Sequence, residues 1–157
     1  MGVIALKIML DEGAVMPTRA HPWDAGLDLY TPIDIKIPAA KVLGYDALEN
    51  TEVVEVGAET IDTGVHVQIP EGCVGFIKSK SGLMVKHGIT TDGTIDCGYT
   101  GSIRVNLYNH NYRPYKFSAG DKIAQLVILP CLLPELELVT EMESTDRGDN
   151  GFGSTGK

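Results

Sequence analysis

The chain is short of cysteine, of positive charge and of long apolar runs, and each shortage closes off a class of protein. Its three cysteines, Cys73, Cys97 and Cys131, stand far apart in 157 residues. An odd, scattered set supports neither a disulfide framework nor a four-ligand zinc site, and it suits a reducing cytoplasm. Lys and Arg number 13 against 21 Asp and Glu, a formal net charge of −8. Proteins that grip duplex nucleic acid are usually basic, so nucleic acid is not expected as a partner. No apolar run approaches the roughly 20 residues that cross a bilayer, so no membrane partner is expected. The segment Met1 to Leu10 lacks the basic start and cleavage site of a signal peptide. His87 and His110 have no partner at metal-ligand spacing and read as structural or solvated. An anionic small substrate would need a local cationic pocket or a divalent metal against the general field. Lys78, Lys80, Lys86, Arg104 and Arg147 are the cations to watch.

What is present is a succession of short strands. Apolar residues make up 43% of the chain, and its length suits one domain with a real core. Strands are predicted at Val3–Leu10, after the small-residue turn Asp24–Ala25–Gly26, at Ile33–Ile37 and at Glu52–Val56. Others follow at Ile61–Ile69, Cys73–Ile77, Ile103–Leu107, Lys122–Leu129 and, briefly, Leu136–Val139. Residues 39–51, with Gly44, Asp46 and Asn50, read as an inserted surface loop. One short helix is predicted within Lys78–Ile89, with Ser79 or Ser81 as N-cap and Gly88 as its stop. Many short strands and almost no helix predict an all-β barrel or jelly roll. The pattern divides into a β domain over 1–145 and a glycine-rich, mobile arm over 146–157.

The chemistry gathers around Gly93-Thr94-Ile95-Asp96-Cys97-Gly98-Tyr99-Thr100-Gly101. Three glycines in nine residues mark a tight turn, and the alternation that follows from Ile103 marks a half-buried strand. The turn presents one carboxylate and one aromatic ring over a rigid strand, a common way to place catalytic groups. A plain hairpin whose Asp96 satisfies backbone amides fits the same residues. Ser81-Gly82 at the helix start offers amides and a hydroxyl to a phosphate, or else an ordinary cap. The tail sets Arg147 beside glycine-rich backbone that could wrap a polyphosphate, with Phe152 to stack on a planar base; a disordered terminus has the same composition.

Five blocks in order resemble the trimeric deoxyuridine triphosphatases (dUTPases). They are Asp24–Tyr30; Lys80–Leu83 with Lys86–Ile89; Gly93–Asp96 with Tyr99–Gly101; Gly120–Leu126; and Arg147–Gly148 with Gly151–Gly156. The resemblance implies a jelly-roll-like subunit, a homotrimer with active sites shared between subunits, and Mg²⁺-dependent hydrolysis of dUTP to dUMP and diphosphate. It implies that Asp96 is the general base holding the attacking water and that Tyr99 walls off a 2′-hydroxyl. Gly93, Thr94 and Ile95 would read uracil through backbone groups. Lys80, Ser81, Gly82 and Gln125 would hold phosphates, and Arg104 would lie near the nucleoside. Asp28 would be a structural or metal-side carboxylate, with Mg²⁺ carried mainly on the triphosphate. Arg147, Phe152 and Gly153 would come from a neighbouring subunit's arm, Arg147 on the terminal phosphate and Phe152 over the base.

The chain departs from the family pattern in four places. Lys80 stands where Arg is usual, which keeps the charge and loses the planar fork. Met84 replaces a small residue, Asn150 replaces a glycine, and the 39–51 insertion has no assigned counterpart and reads as a surface or partner loop. Two other readings share the fold. A regulatory or binding protein would keep the architecture, with or without catalysis, although Asp96, Tyr99 and Phe152 are all present. A dCTP deaminase would need a further acid, and Ile103–Asn109 carries no Glu.

Overall fold

The computed structural model describes residues 5–146 and 148. Two four-stranded sheets face each other. The first has the order β1 (Lys7–Leu10), β6 (Gly57–Gln68), β10 (Ser102–Asn109) and β8 (Ile89–Thr90). The second has the order β2 (Gly26–Tyr30), β12 (Lys122–Pro130), β7 (Cys73–Lys78) and β9 (Asp92–Ile95). A short ladder joins β3 (Ile35–Ile37) to β11 (Tyr115–Phe117), and all of these pairs run antiparallel. Alternation explains the packing. Ile103, Val105 and Leu107 are fully buried, while Arg104 and Tyr108, each next to one of them, face out. Val65, Val67, Leu126 and Ile77 meet them in one core between the sheets. The expected all-β, jelly-roll-like architecture is the one observed.

Several boundaries differ from the sequence expectation. The first strand is described only over Lys7–Leu10, and the strand before Pro38 begins at Ile35 rather than Ile33, which stands 60% exposed. Residues 39–51 are not a loop. They belong to a hairpin of β4 (Lys41–Asp46) and β5 (Thr51–Glu55), whose strands pair only with each other. Gly44 sits at a bulge in its ladder, and the Asp46 carboxylate closes the turn by accepting from the Leu48 and Glu49 amides. Thus the residues that read as loop formers are the bulge and the turn of a β-ribbon. Its root is tied to the domain: buried Asn109 donates to the carbonyls of Pro38 and Arg113, each at 2.9 Å. Leu136–Val139 forms no strand, since no ladder partner among the described residues reaches it.

The helix α1 covers Ser81–His87. Its N-cap is Lys80, without a side-chain cap, so neither Ser79 nor Ser81 plays that part. Gly88 stops it as expected, at φ 64 in the left-handed region, with its N–H donating to Met84 and Leu83 carbonyls.

Candidate active site

The site is built on the second sheet. Strand β7 runs directly into α1, and β9 runs directly into the Asp96 turn. The two strands pair, with Phe76 opposite Thr94, Ile77 opposite Gly93 and Lys78 opposite Asp92. Beyond the ladder, Ser79 continues the connection. Its hydroxyl donates to the Thr91 carbonyl at 2.8 Å and accepts from the Thr91 N–H at 2.8 Å. Its carbonyl accepts from Gln125 Nε2 at 3.2 Å, which brings in β12. Ser79 therefore joins the cationic end of the site, the turn-bearing strand and β12.

At the cationic end lies an open cavity of ≈ 370 Å³ lined by Lys80, Ser81, Gly82, Lys86, Lys122 and Gln125, among others. An adjoining one of ≈ 390 Å³ shares Lys80 and Gln125 and adds Asp24, Gly26 and Asp28. At Gly26 a Cβ would stand 2.4 Å from Gln125 Oε1, so the Gln125 side chain would have to shift to admit it. Gly82 is different: a Cβ there would meet nothing within 4 Å, so the chain's own packing does not demand glycine. At Gly93 an added Cβ would only touch Ile77 at 3.6 Å. Both positions leave room for an outside molecule to approach the backbone.

Asp28 is the buried charge of the site, 5% exposed. One oxygen accepts from Lys80 Nζ and the other from Lys122 Nζ, the latter at 2.6 Å. Burial by itself would push this carboxyl up. The bonds and charges of Lys122 and Lys80 outweigh it and hold the carboxyl below the usual aspartate range. The same contact raises Lys122. Both oxygens are thus occupied by ammonium groups, and among the described residues no group of three His, Cys, Asp or Glu is placed to hold a metal ion. The residues present do not form a metal cage; they form a cationic anion site around one neutralising carboxylate.

The turn is narrower than expected, because Asp92–Ile95 is ladder. Asp96 heads a four-residue turn closed by the Tyr99 N–H donating to the Asp96 carbonyl at 3.1 Å, with Gly98 at φ 95 where a side chain would be strained. Asp96 is solvent-exposed. The Tyr99 ring folds back over Gly101, and its hydroxyl donates to the Ser102 carbonyl at 2.9 Å. The hydroxyl is therefore tied up and the ring is fixed against the Gly101 backbone.

The structure brings Lys80, Ser81, Gly82 and Gln125 together, and it places Gly93, Thr94 and Ile95 on the strand next to them. Arg104 is directed elsewhere. It faces out of the first sheet and pairs with Asp62, Nε to Oδ2 3.6 Å. Arg147, Phe152 and Gly153 lie outside the described residues. Lys122 is a site residue that the sequence does not single out, and Ser79 reads there only as a candidate helix cap. Strict alternation puts Lys122 and Gln125 on opposite faces of a strand. A β-bulge between Lys122 and Ala124 inserts a residue and lets both line one cavity.

Comparison with known proteins gives the family of the chain. A family model described as dUTPase matches residues 40–156. The deoxyuridine 5'-triphosphate nucleotidohydrolase of Clostridium novyi (strain NT) is 40% identical over 157 residues, covering 96% of this chain and 99% of that protein. A solved structure of Staphylococcus bacteriophage 80alpha dUTPase with dUPNHPP superposes with a TM-score of 0.83 at 31% identity, covering 99% of this chain and 100% of that one. A mutant dUTPase from phage phi11 of S. aureus, described with a coordinated structural Mg(II) ion, superposes at 0.73 and 31% identity over 90% of this chain and 100% of its own. The chain belongs to the dUTPase family.

Proposed function

We propose that the chain hydrolyses dUTP to dUMP and diphosphate, with Asp96 as the general base that orients and deprotonates the water attacking the α-phosphorus. Family membership supports the reaction. The observation that carries the site assignment is the β7–β9 ladder with its Ser79–Thr91 extension. It holds the anion site and the Asp96 turn as one rigid body, and a water-activating carboxylate needs that fixed relation to the phosphates.

Each residue then has a part. Uracil lies along Gly93–Ile95, where backbone groups meet its polar edge, and a base with a 4-amino group leaves them unpaired. Tyr99 fills the space a 2′-hydroxyl would need. Lys80, Lys122, the Ser81–Gly82 amides and Gln125 hold the phosphates. Asp28 fixes the two lysines and lowers the net charge of the pocket. The divalent ion, Mg²⁺, arrives on the triphosphate as part of the substrate and supplies charge neutralisation there. The active unit is a homotrimer in which the 146–157 arm of one subunit, carrying Arg147, Phe152 and Gly153, closes the site of another. The β4–β5 hairpin, with Val42, Leu43, Tyr45 and Leu48 exposed, offers a face for a protein partner.

The test is diphosphate release from dUTP, dCTP, dTTP and UTP. Release from dUTP alone is expected, and Asp96→Asn is expected to bind dUTP while losing roughly 10³-fold in turnover. Normal turnover in that variant removes Asp96 as the base.

A further inference from the structure

The backbone just after the Asp96 turn accepts a hydrogen bond from one distant side chain among the described residues. His66 lies near the end of β6, opposite Met9 of β1 on one side and Ser102 of β10 on the other. Its Nδ1 is 2.8 Å from the Thr100 carbonyl oxygen, and its Nε2 is 3.2 Å from Asp11 Oδ2. Both partners are acceptors only. A neutral imidazole carries a single N–H, so it can satisfy one of them; the imidazolium satisfies both.

We propose that His66 is a positioning residue for the nucleoside wall: as imidazolium it clamps Thr100 to Asp11, and its deprotonation loosens Tyr99 and weakens the grip on the deoxyuridine moiety. The inference rests on the reading of the Asp96 turn as the nucleoside site.

The linkage to Tyr99 is short. Thr100 follows Tyr99 directly, and the Tyr99 ring already leans on Gly101 and on the Ser102 carbonyl. A shift of Thr100 therefore moves the wall. The other end of the clamp is rigid, because the Asp11 N–H donates to the Gly64 carbonyl at 2.8 Å. The charges around the ring favour the protonated form. Asp11 faces it from the segment after β1 and Asp62 from β6 itself, while Arg104 of β10 is taken up by Asp62. Lys7 of β1 lines the same surface depression and opposes them. In balance the imidazole is raised above its ordinary value, by the bond to Thr100 first and the bond to Asp11 second.

The experiment uses the full chain and dUMP, in two measurements. Calorimetry gives the dUMP dissociation constant at about pH 6 and about pH 9 for the native chain and for His66→Gln, which remains neutral throughout. The titration of dUMP itself is common to both proteins and cancels in the comparison. The native chain is expected to lose roughly tenfold more affinity across that range than the variant, the scale of one charge-assisted hydrogen bond. NMR titration of the imidazole, identified by the signal missing in His66→Gln, is expected to show a higher pKa with dUMP bound, because linkage is reciprocal. Should His66→Gln not fold, the His66 imidazole is assigned in the native chain by through-bond correlation to its own backbone, and the NMR titration decides alone. If dUMP binds but the His66 pKa is the same with and without it, or the two proteins share one pH dependence, the clamp has no functional coupling and the inference is overturned. If dUMP does not bind at either pH, the nucleotide reading fails and the inference falls with it.

Discussion

Asp28 shows how one residue sets the character of the site. A buried carboxylate between two ammonium groups is stable only while it is ionised. Its folded value is depressed, so its contribution is fully present above the unfolded aspartate value of about 3.9 and is lost as pH falls through the lower folded value. Both lysines are partly exposed, which limits the magnitude. Asp28→Asn is expected to lower stability by about 1–3 kcal/mol near neutral pH. In thermal or urea unfolding the gap to the native chain should be constant from about pH 7 to about pH 5 and should narrow below about pH 4. A gap independent of pH would mean that the lysines do not depend on the Asp28 charge. The same variant frees Lys80 and Lys122 toward the phosphates, so tighter substrate binding at lower stability is the combined signature.

At the scale of elements, the site depends on a strap rather than on the helix. α1 has seven residues, none of them buried, and packs lightly. What fixes its start is Ser79, bonded twice to Thr91 and once to Gln125. Ser79→Ala removes both Thr91 bonds and leaves the Thr91 amide and carbonyl without that partner. The expected cost is about 1–3 kcal/mol of stability. Because the phosphate end then moves relative to the Asp96 turn, kcat/KM for dUTP is expected to fall at least tenfold, about 1.4 kcal/mol. A variant that loses stability but keeps kcat/KM would show that the ladder alone aligns the two halves. Bulges carry as much of the arrangement as bonds do. The one in β12 turns Lys122 toward Gln125, and a register shift between β6 and β10 gathers Asp62, Ser102 and Arg104 at the root of the turn.

For the molecule as a whole, the conspicuous surface is the segment after β12. Leu132, Leu136 and Leu138 are 93%, 98% and 100% exposed in the isolated chain, and Leu136 and Leu138 alternate with glutamates without joining a sheet. Such a stretch is left bare in a monomer and covered in an assembly. The native mass is expected to be that of three chains of 16.9 kDa. A chain ending at Thr145 is expected to remain trimeric and to lose most of its turnover, because the proposed closure by the 146–157 arm is then removed. Full activity in that truncation would exclude Arg147 and Phe152 from catalysis, and a monomeric native mass would leave no neighbour to supply them.

Local rules made much of this protein readable from its residues in order. Alternation at Ile103–Leu107 and along β6, the glycine stop at Gly88 and the turn chemistry around Gly98 depend on neighbours a few positions away, and they gave the strands, the helix end and the ordered family blocks. The hairpin at 41–55 was misread for the same reason: Gly44, Asp46 and Asn50 signal a turn equally in a loop and in a bulged ribbon. Contacts that build the site span long separations, 52 positions from Asp28 to Lys80 and 34 from His66 to Thr100. Which side chains meet across such distances is set by strand register and by bulges, and register is fixed only when the sheets close around a common core.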